Sequence, residues 1–125
     1  MRNCYRPLLV FSPSATDARL KKQIGILDAD ADDMMDRFVM FTPILPSVKS
    51  FAAPLDTPYV LVSAQQMQAI RSQFNVPVDT FLVLLLGEDG HEALRSEAPV
   101  GSTHLNSLID AMPSRKIEMN RPHAN

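Results

Sequence analysis

Hydrophobic positions in this chain fall into short unbroken runs and one-sided stripes, which predict strands and helices respectively. Pro7-Leu8-Leu9-Val10-Phe11 is an unbroken run stopped by Ser12-Pro13-Ser14. A strand apolar on both sides belongs in the middle of a sheet. Beyond Ser14, Leu20, Ile24 and Leu27 recur at helical spacing, with Arg19, Lys21, Lys22 and Gln23 on the outer positions. Ala29 to Asp36 is acidic and reads as a solvated turn, giving way to a second strand at Phe38-Val39-Met40-Phe41-Thr42. Strand, helix and strand in this order predict a parallel βαβ unit with a right-handed crossover.

The second half is punctuated more heavily. Pro43, Pro46, Pro54 and Pro58 remove backbone donors and predict a loop from Thr42 to Tyr59. Tyr59-Val60-Leu61-Val62 suits a short edge strand. Ser63 with Gln66 three residues on forms a capping box. The helix that follows turns Ala64, Met67, Ile70 and Phe74 inward and stops at Asn75, with Pro77 barring continuation. Thr80 to Leu86 is the strongest strand. The Asp89-Gly90 step predicts a hairpin turn into a fourth strand within His91 to Glu97. Ser102 is placed to cap a last helix with the stripe Leu105, Leu108, Ile109 and Met112, ended by Pro113. In the polar tail a short helical turn is expected to dock through Ile117, and 122–125 are expected to fray. The whole is an α/β domain, a small mixed four-stranded sheet flanked by helices.

At 125 residues the chain has room for one domain. Its expected bounds are an N-terminal segment 1–5, a domain 6–121 and a C-terminal tail 122–125. A hydrophobic share of 46% and a charged share of 21% support a core. The net charge of −2 gives no field for nucleic acid or an anionic membrane surface. The longest apolar run, Phe81 to Leu86, is far below the roughly 20 residues of a membrane span. The run Leu8 to Phe11 is shorter than the roughly 7 to 15 residues of a signal-peptide core. A cytoplasmic location is expected for the chain as given, periplasmic if an upstream signal was removed. A single cysteine, Cys4, excludes an intrachain disulfide and a multi-cysteine zinc site.

The element order β-α-β, α, β-hairpin, α resembles that of thioredoxin-like folds, and Leu9 to Ser14 resembles the end of their first core strand, leading into the active-site helix. More specifically, Arg6-Pro7-Leu8-Leu9-Val10-Phe11-Ser12-Pro13-Ser14, together with Leu108-Ile109-Asp110-Ala111-Met112-Pro113-Ser114-Arg115, is similar to the uncharacterised bacterial family domain of unknown function 4174. The resemblance runs from about Arg6 to Arg121. It implies a thioredoxin-like domain with strand order second, first, third, fourth, and no established activity. By the thioredoxin spacing, the two motif cysteines fall at Ala15 and Ala18, so the redox C-x-x-C is missing. The cis-proline expected before the third strand is displaced to Pro77, with Val78-Asp79 in its place.

Ser12, Ser14, Thr16 and Asp17 occupy the loop-to-helix position where thioredoxin-like folds place their chemistry. Backbone N–H groups at that helix start could hold a ligand. The plainer reading is capping by Ser14 or Thr16, with Asp17 complementing the helix dipole. Cys4, between Arg2 and Arg6, is a candidate reactive thiol without a resolving partner. Asp28, Asp30, Asp32, Asp33 and Asp36 form a dense acidic cluster in which Asp28-x-Asp30-x-Asp32 resembles the opening of a calcium loop, but the sixth position is Asp33 and the twelfth Val39, where glycine and glutamate are required. No metal site is assigned. His91, His104 and His123 match no zinc spacing. The reading is a redox-inactive binding or structural domain to which no enzymatic activity is assigned, without a cofactor, serving an unidentified protein or small-molecule partner. The alternatives are a thiol-dependent redox or peroxide-scavenging protein using Cys4, or a metal or anion binder.

Overall fold

The computed structural model describes residues 5–46, 56–87 and 89–120. In chain order the elements are β1 (Arg6–Phe11), α1 (Ala18–Ala29), α2 (Ala31–Asp36), β2 (Val39–Ile44), α3 (Ala64–Phe74), β3 (Leu82–Leu86), β4 (Glu92–Ser96), α4 (Ser102–Asp110) and α5 (Pro113–Asn120). The strands form one mixed sheet in the order β2-β1-β3-β4. β1 runs parallel to β2 and antiparallel to β3, and β3 runs antiparallel to β4. The two unbroken apolar runs are the two central strands. Every residue of β3 is buried, and Leu8, Val10 and Phe11 of β1 are wholly inaccessible.

β2 continues through Pro43 to Ile44, two residues beyond the expected end. It is an edge strand, and Phe41 turns its own backbone outward, donating to Pro58 O (2.9 Å) and accepting from Val60 N (3.0 Å). Pro43 lies two residues on in the same outward phase, so its missing N–H costs the β1–β2 ladder nothing. The expected strand at Tyr59 to Val62 reduces to one isolated bridge, Phe41 to Tyr59. Tyr59, Val60 and Leu61 are exposed, and among the described residues the pairing extends no further. Most of the proline-rich loop, 47–55, lies outside the described residues.

The acidic stretch is not a turn. It forms α2, because Ala31 and Met34 repeat at helical spacing and are buried beneath the exposed aspartates. Gln23, expected on the outer face of α1, is fully buried. It sits three residues after Leu20 and four before Leu27, on the same stripe. Its amide is satisfied by one backbone unit: Nε2 donates to Val100 O (3.0 Å) and Oε1 accepts from Val100 N (2.7 Å).

α3 carries the expected capping box between Ser63 and Gln66 and ends on Asn75 in the left-handed region (φ 57°). Met67 is its buried contact, Ile70 and Phe74 are partly buried, and Ala64 is exposed rather than inward. In the hairpin, Gly90 takes φ 85° and its N–H donates to Gly87 O (3.0 Å). α4 buries Leu105 and Ile109, but its N-cap is Gly101. Ser102 lies one residue inside the helix and donates its hydroxyl to the Asp30 carboxylate. The tail forms α5, which docks through buried Arg115 and not through Ile117, which is 61% exposed. Among the described residues no helix is long and apolar enough to cross a membrane.

Candidate functional site

β1 and β2 both end at the same edge of the sheet, and the chain leaves β1 through Ser12 to Asp17 before α1 begins. In open α/β sheets the crevice outside the carboxyl ends of the strands is where ligands are bound. Ser12 is fully buried, its N–H donates to Ile44 O (3.1 Å), and its hydroxyl donates to Ser14 O (2.7 Å). That hydroxyl is committed to the turn. Ser14 and Thr16 are exposed, with their hydroxyl oxygens 3.4 Å apart.

Capping falls to Asp17 itself, neither Ser14 nor Thr16. The Asp17 carboxylate accepts from Arg19 N (2.9 Å), Arg19 Nε (3.0 Å) and Arg19 Nη2 (2.8 Å). Its hydrogen bonds from the Arg19 guanidinium, with those from backbone N–H groups, hold the carboxyl down to about 2 against the opposing effect of burial. The positive end of α1 is thus occupied by the chain's own carboxylate. Arg19 in turn lies 5.1 Å from the centroid of the Phe81 ring. Ala15 packs partly against the core, and Ala18 is exposed as the first residue of α1.

Sequence reasoning missed a second arginine at this edge. Arg71, near the end of α3, donates Nη1 to Pro77 O (3.0 Å) and Nη2 to Ile44 O (3.3 Å). Its guanidinium carbon lies 5.8 Å from the centroid of the Phe11 ring. The Ile44 carbonyl therefore receives both Ser12 N–H and Arg71, which places the cation beside the turn. Burial lowers the Arg71 pKa. The only cue in the sequence was a basic residue close to a helix end, which the helix dipole also explains.

The other end of the sheet holds a denser polar cluster that sequence reasoning also missed. Arg6 is wholly buried, pairing through Nη2 with Glu118 (3.1 Å) and Ser114 (3.1 Å) and through Nη1 with Arg37 O (2.7 Å). It does not stand by as a free positive neighbour for Cys4, which lies outside the described residues. Arg115 contacts Asp36 (2.6 Å), Asp110 (3.3 Å) and Glu118 (3.2 Å), while Arg37 holds Asp110 through two nitrogens. These pairs tie α5 to β1, α2 and α4. Hydrogen bonds from Arg37, then from Arg115, keep Asp110 below its ordinary pKa, against burial.

An open groove is lined by Asp28, Asp30, Asp32, Asp33 and Asp56, but several of these carboxylates already serve the fold. Asp28 accepts from Asp56 N (3.0 Å), Asp30 accepts from Ser102, and Asp33 accepts from Asn106 (3.3 Å). Among the described residues the histidines are not gathered with other metal-ligating side chains. His91 pairs with Asp89 (3.0 Å) on the exposed hairpin, His104 is exposed in the first turn of α4, and His123 lies outside the described residues.

The architecture is shared with solved structures at low identity. StoA from Bacillus subtilis superposes with a TM-score of 0.61 at 16% identity, over 86% of this chain and 84% of that one. Thioredoxin peroxidase I from Plasmodium yoelii gives 0.63 at 16% identity, over 96% and 78%. A thioredoxin-like protein from Bacteroides caccae gives 0.54 at 12%, over 86% and 40%. These likenesses establish a thioredoxin-like fold. No curated protein matches the sequence. The family model described as a domain of unknown function, DUF4174, matches residues 1–118, and the chain belongs to that family.

Proposed function

We propose that this chain is a non-redox binding domain: a thioredoxin-like scaffold that presents the turn from Ser12 to Asp17 to a small molecule or a partner protein. The observation that carries the reading is the pair Ala15 and Ala18 at the positions of the two thiols, in a chain whose single cysteine lies upstream of β1. Dithiol exchange needs an attacking thiolate and a second thiol to resolve the mixed disulfide. This turn supplies neither. It offers the exposed hydroxyls of Ser14 and Thr16, which can donate or accept. With Asp17 in the anion seat of α1, a neutral or singly charged group fits the turn better than a phosphate.

An insulin-reduction assay with a thiol donor tests the redox half of the reading. The expected rate equals that of the donor alone, and turnover above it that disappears in Cys4→Ser would overturn the proposal. Backbone amide shifts during titration of small neutral and carboxylate ligands test the placement. The expected shifts cluster at 14–17, and shifts confined to 28–36 would place binding at the acidic groove instead.

A further inference from the structure

Arg71 is the exception among the described arginines. Arg6, Arg19, Arg37, Arg95 and Arg115 each lie within ion-pair distance of a carboxylate. Arg71, the remaining described arginine, has as its hydrogen-bond partners among the described residues the carbonyl oxygens of Pro77 and Ile44. It is also partly buried, with its guanidinium near the inaccessible Phe11 ring. A cation partly withdrawn from water, with no carboxylate partner among the described residues, is a costly arrangement, and carbonyl dipoles offset only part of that cost. Its depressed pKa expresses the same desolvation.

We propose that Arg71 is the anchor of a carboxylate-binding site at the edge of the sheet where β1 and β2 end, with the ligand's carboxylate supplying the missing counter-charge. Two of the guanidinium's five N–H groups are used by the fold, and the planar fork is held by the last residue of β2, the loop after α3 and the Phe11 ring. A site fixed in this way loses little side-chain entropy on binding. Asp17 does not compete for Arg71, because Arg19 already holds both of its oxygens. Ser14 and Thr16 lie on the turn that follows Ser12, whose N–H shares the Ile44 carbonyl with Arg71. The proposal deepens the reading of the turn as the ligand-facing end, and names the ligand class as a singly charged carboxylate.

The test compares N-acetylglycine with its amide, N-acetylglycinamide, by nitrogen–proton NMR on the full chain, following the Arg71 Nε–H signal and the backbone amides of Ser12 and of residues 14–17. The acid is expected to shift Arg71 Nε–H saturably, and the amide is expected to leave it unmoved. Arg71→Gln should weaken binding about tenfold or more, whereas Arg71→Lys should retain part of it, since a charge remains without the fork. Equal responses to acid and amide, or no saturable shift at Arg71 in the wild type, would overturn the assignment whether or not the variants fold. A stronger response to inorganic phosphate than to N-acetylglycine would overturn the carboxylate class. Shifts at 14–17 with Arg71 unmoved would remove only this inference, whereas insulin reduction would remove the wider reading.

Discussion

Replacing Gln23 tests the account of the core most directly, because one side chain satisfies both backbone polar groups of one buried residue, Val100. Gln23→Leu keeps the volume nearly constant but leaves Val100 N and Val100 O without their amide partner. Each orphaned buried group costs about 1 to 3 kcal/mol, and the added apolar surface recovers part of the sum, leaving about 3 kcal/mol. For a domain of this size that corresponds to a fall in Tm of roughly 10 to 15 °C. Gln23→Glu sharpens the test. A protonated glutamic acid can reproduce both hydrogen bonds, its O–H donating to Val100 O and its carbonyl accepting from Val100 N, while the ionised form has no donor and buries a charge. Burial raises the pKa of this introduced acid above its unfolded value of about 4.3. Its stabilising contribution is therefore full below about pH 4 and lost as pH rises through the folded value. Urea unfolding of wild type and both variants across pH, with the wild-type value subtracted at each pH, reads the effect. A Gln23→Glu protein as stable as wild type at pH 7, or a Gln23→Leu cost below about 0.5 kcal/mol, would refute the pairing with Val100.

The central strands offer a second check: Leu84→Ala should cost about 2 to 5 kcal/mol in denaturant unfolding, while Lys21→Ala, on the exposed side of α1, should be nearly silent. Asp17→Ala should cost about 1 kcal/mol by removing the cap of α1. Because the Asp17 pKa lies at about 2 in the fold, below the unfolded value, its contribution is full above about pH 4 and lost as pH falls through about 2, so the difference from wild type should shrink over that window. Glu118→Ala should cost about 3 kcal/mol, because it strips a carboxylate from buried Arg6, and hydrogen exchange should locate the loosening at α5 and the start of β1. Asn75→Ala should cost about 1 kcal/mol and Asn75→Gly almost nothing, since the position needs a left-handed backbone.

Local pattern alone determined the central strands, the capping box at Ser63, the left-handed stop at Asn75 and the Asp-Gly hairpin. Each of these depends on a residue and its near neighbours in sequence. The strand order and the loss of the C-x-x-C followed from the resemblance carried by Arg6 to Ser14 and Leu108 to Arg115, read together with Ala15 and Ala18. What the sequence could not determine depends on partners far along the chain. Gln23 reads as a surface residue until Val100, 77 positions away, arrives to pair with it. Arg6 reads as a terminal charge until Glu118, 112 positions away, neutralises it. Asp30 and Asp33 read as solvated until α4 brings Ser102 and Asn106 against them. A polar side chain enters a core only when its hydrogen bonds are met there, and whether they are met is decided by tertiary packing, which no local period encodes. The same logic singles out Arg71: only the assembled fold shows that its partners are carbonyls and that no carboxylate among the described residues reaches it.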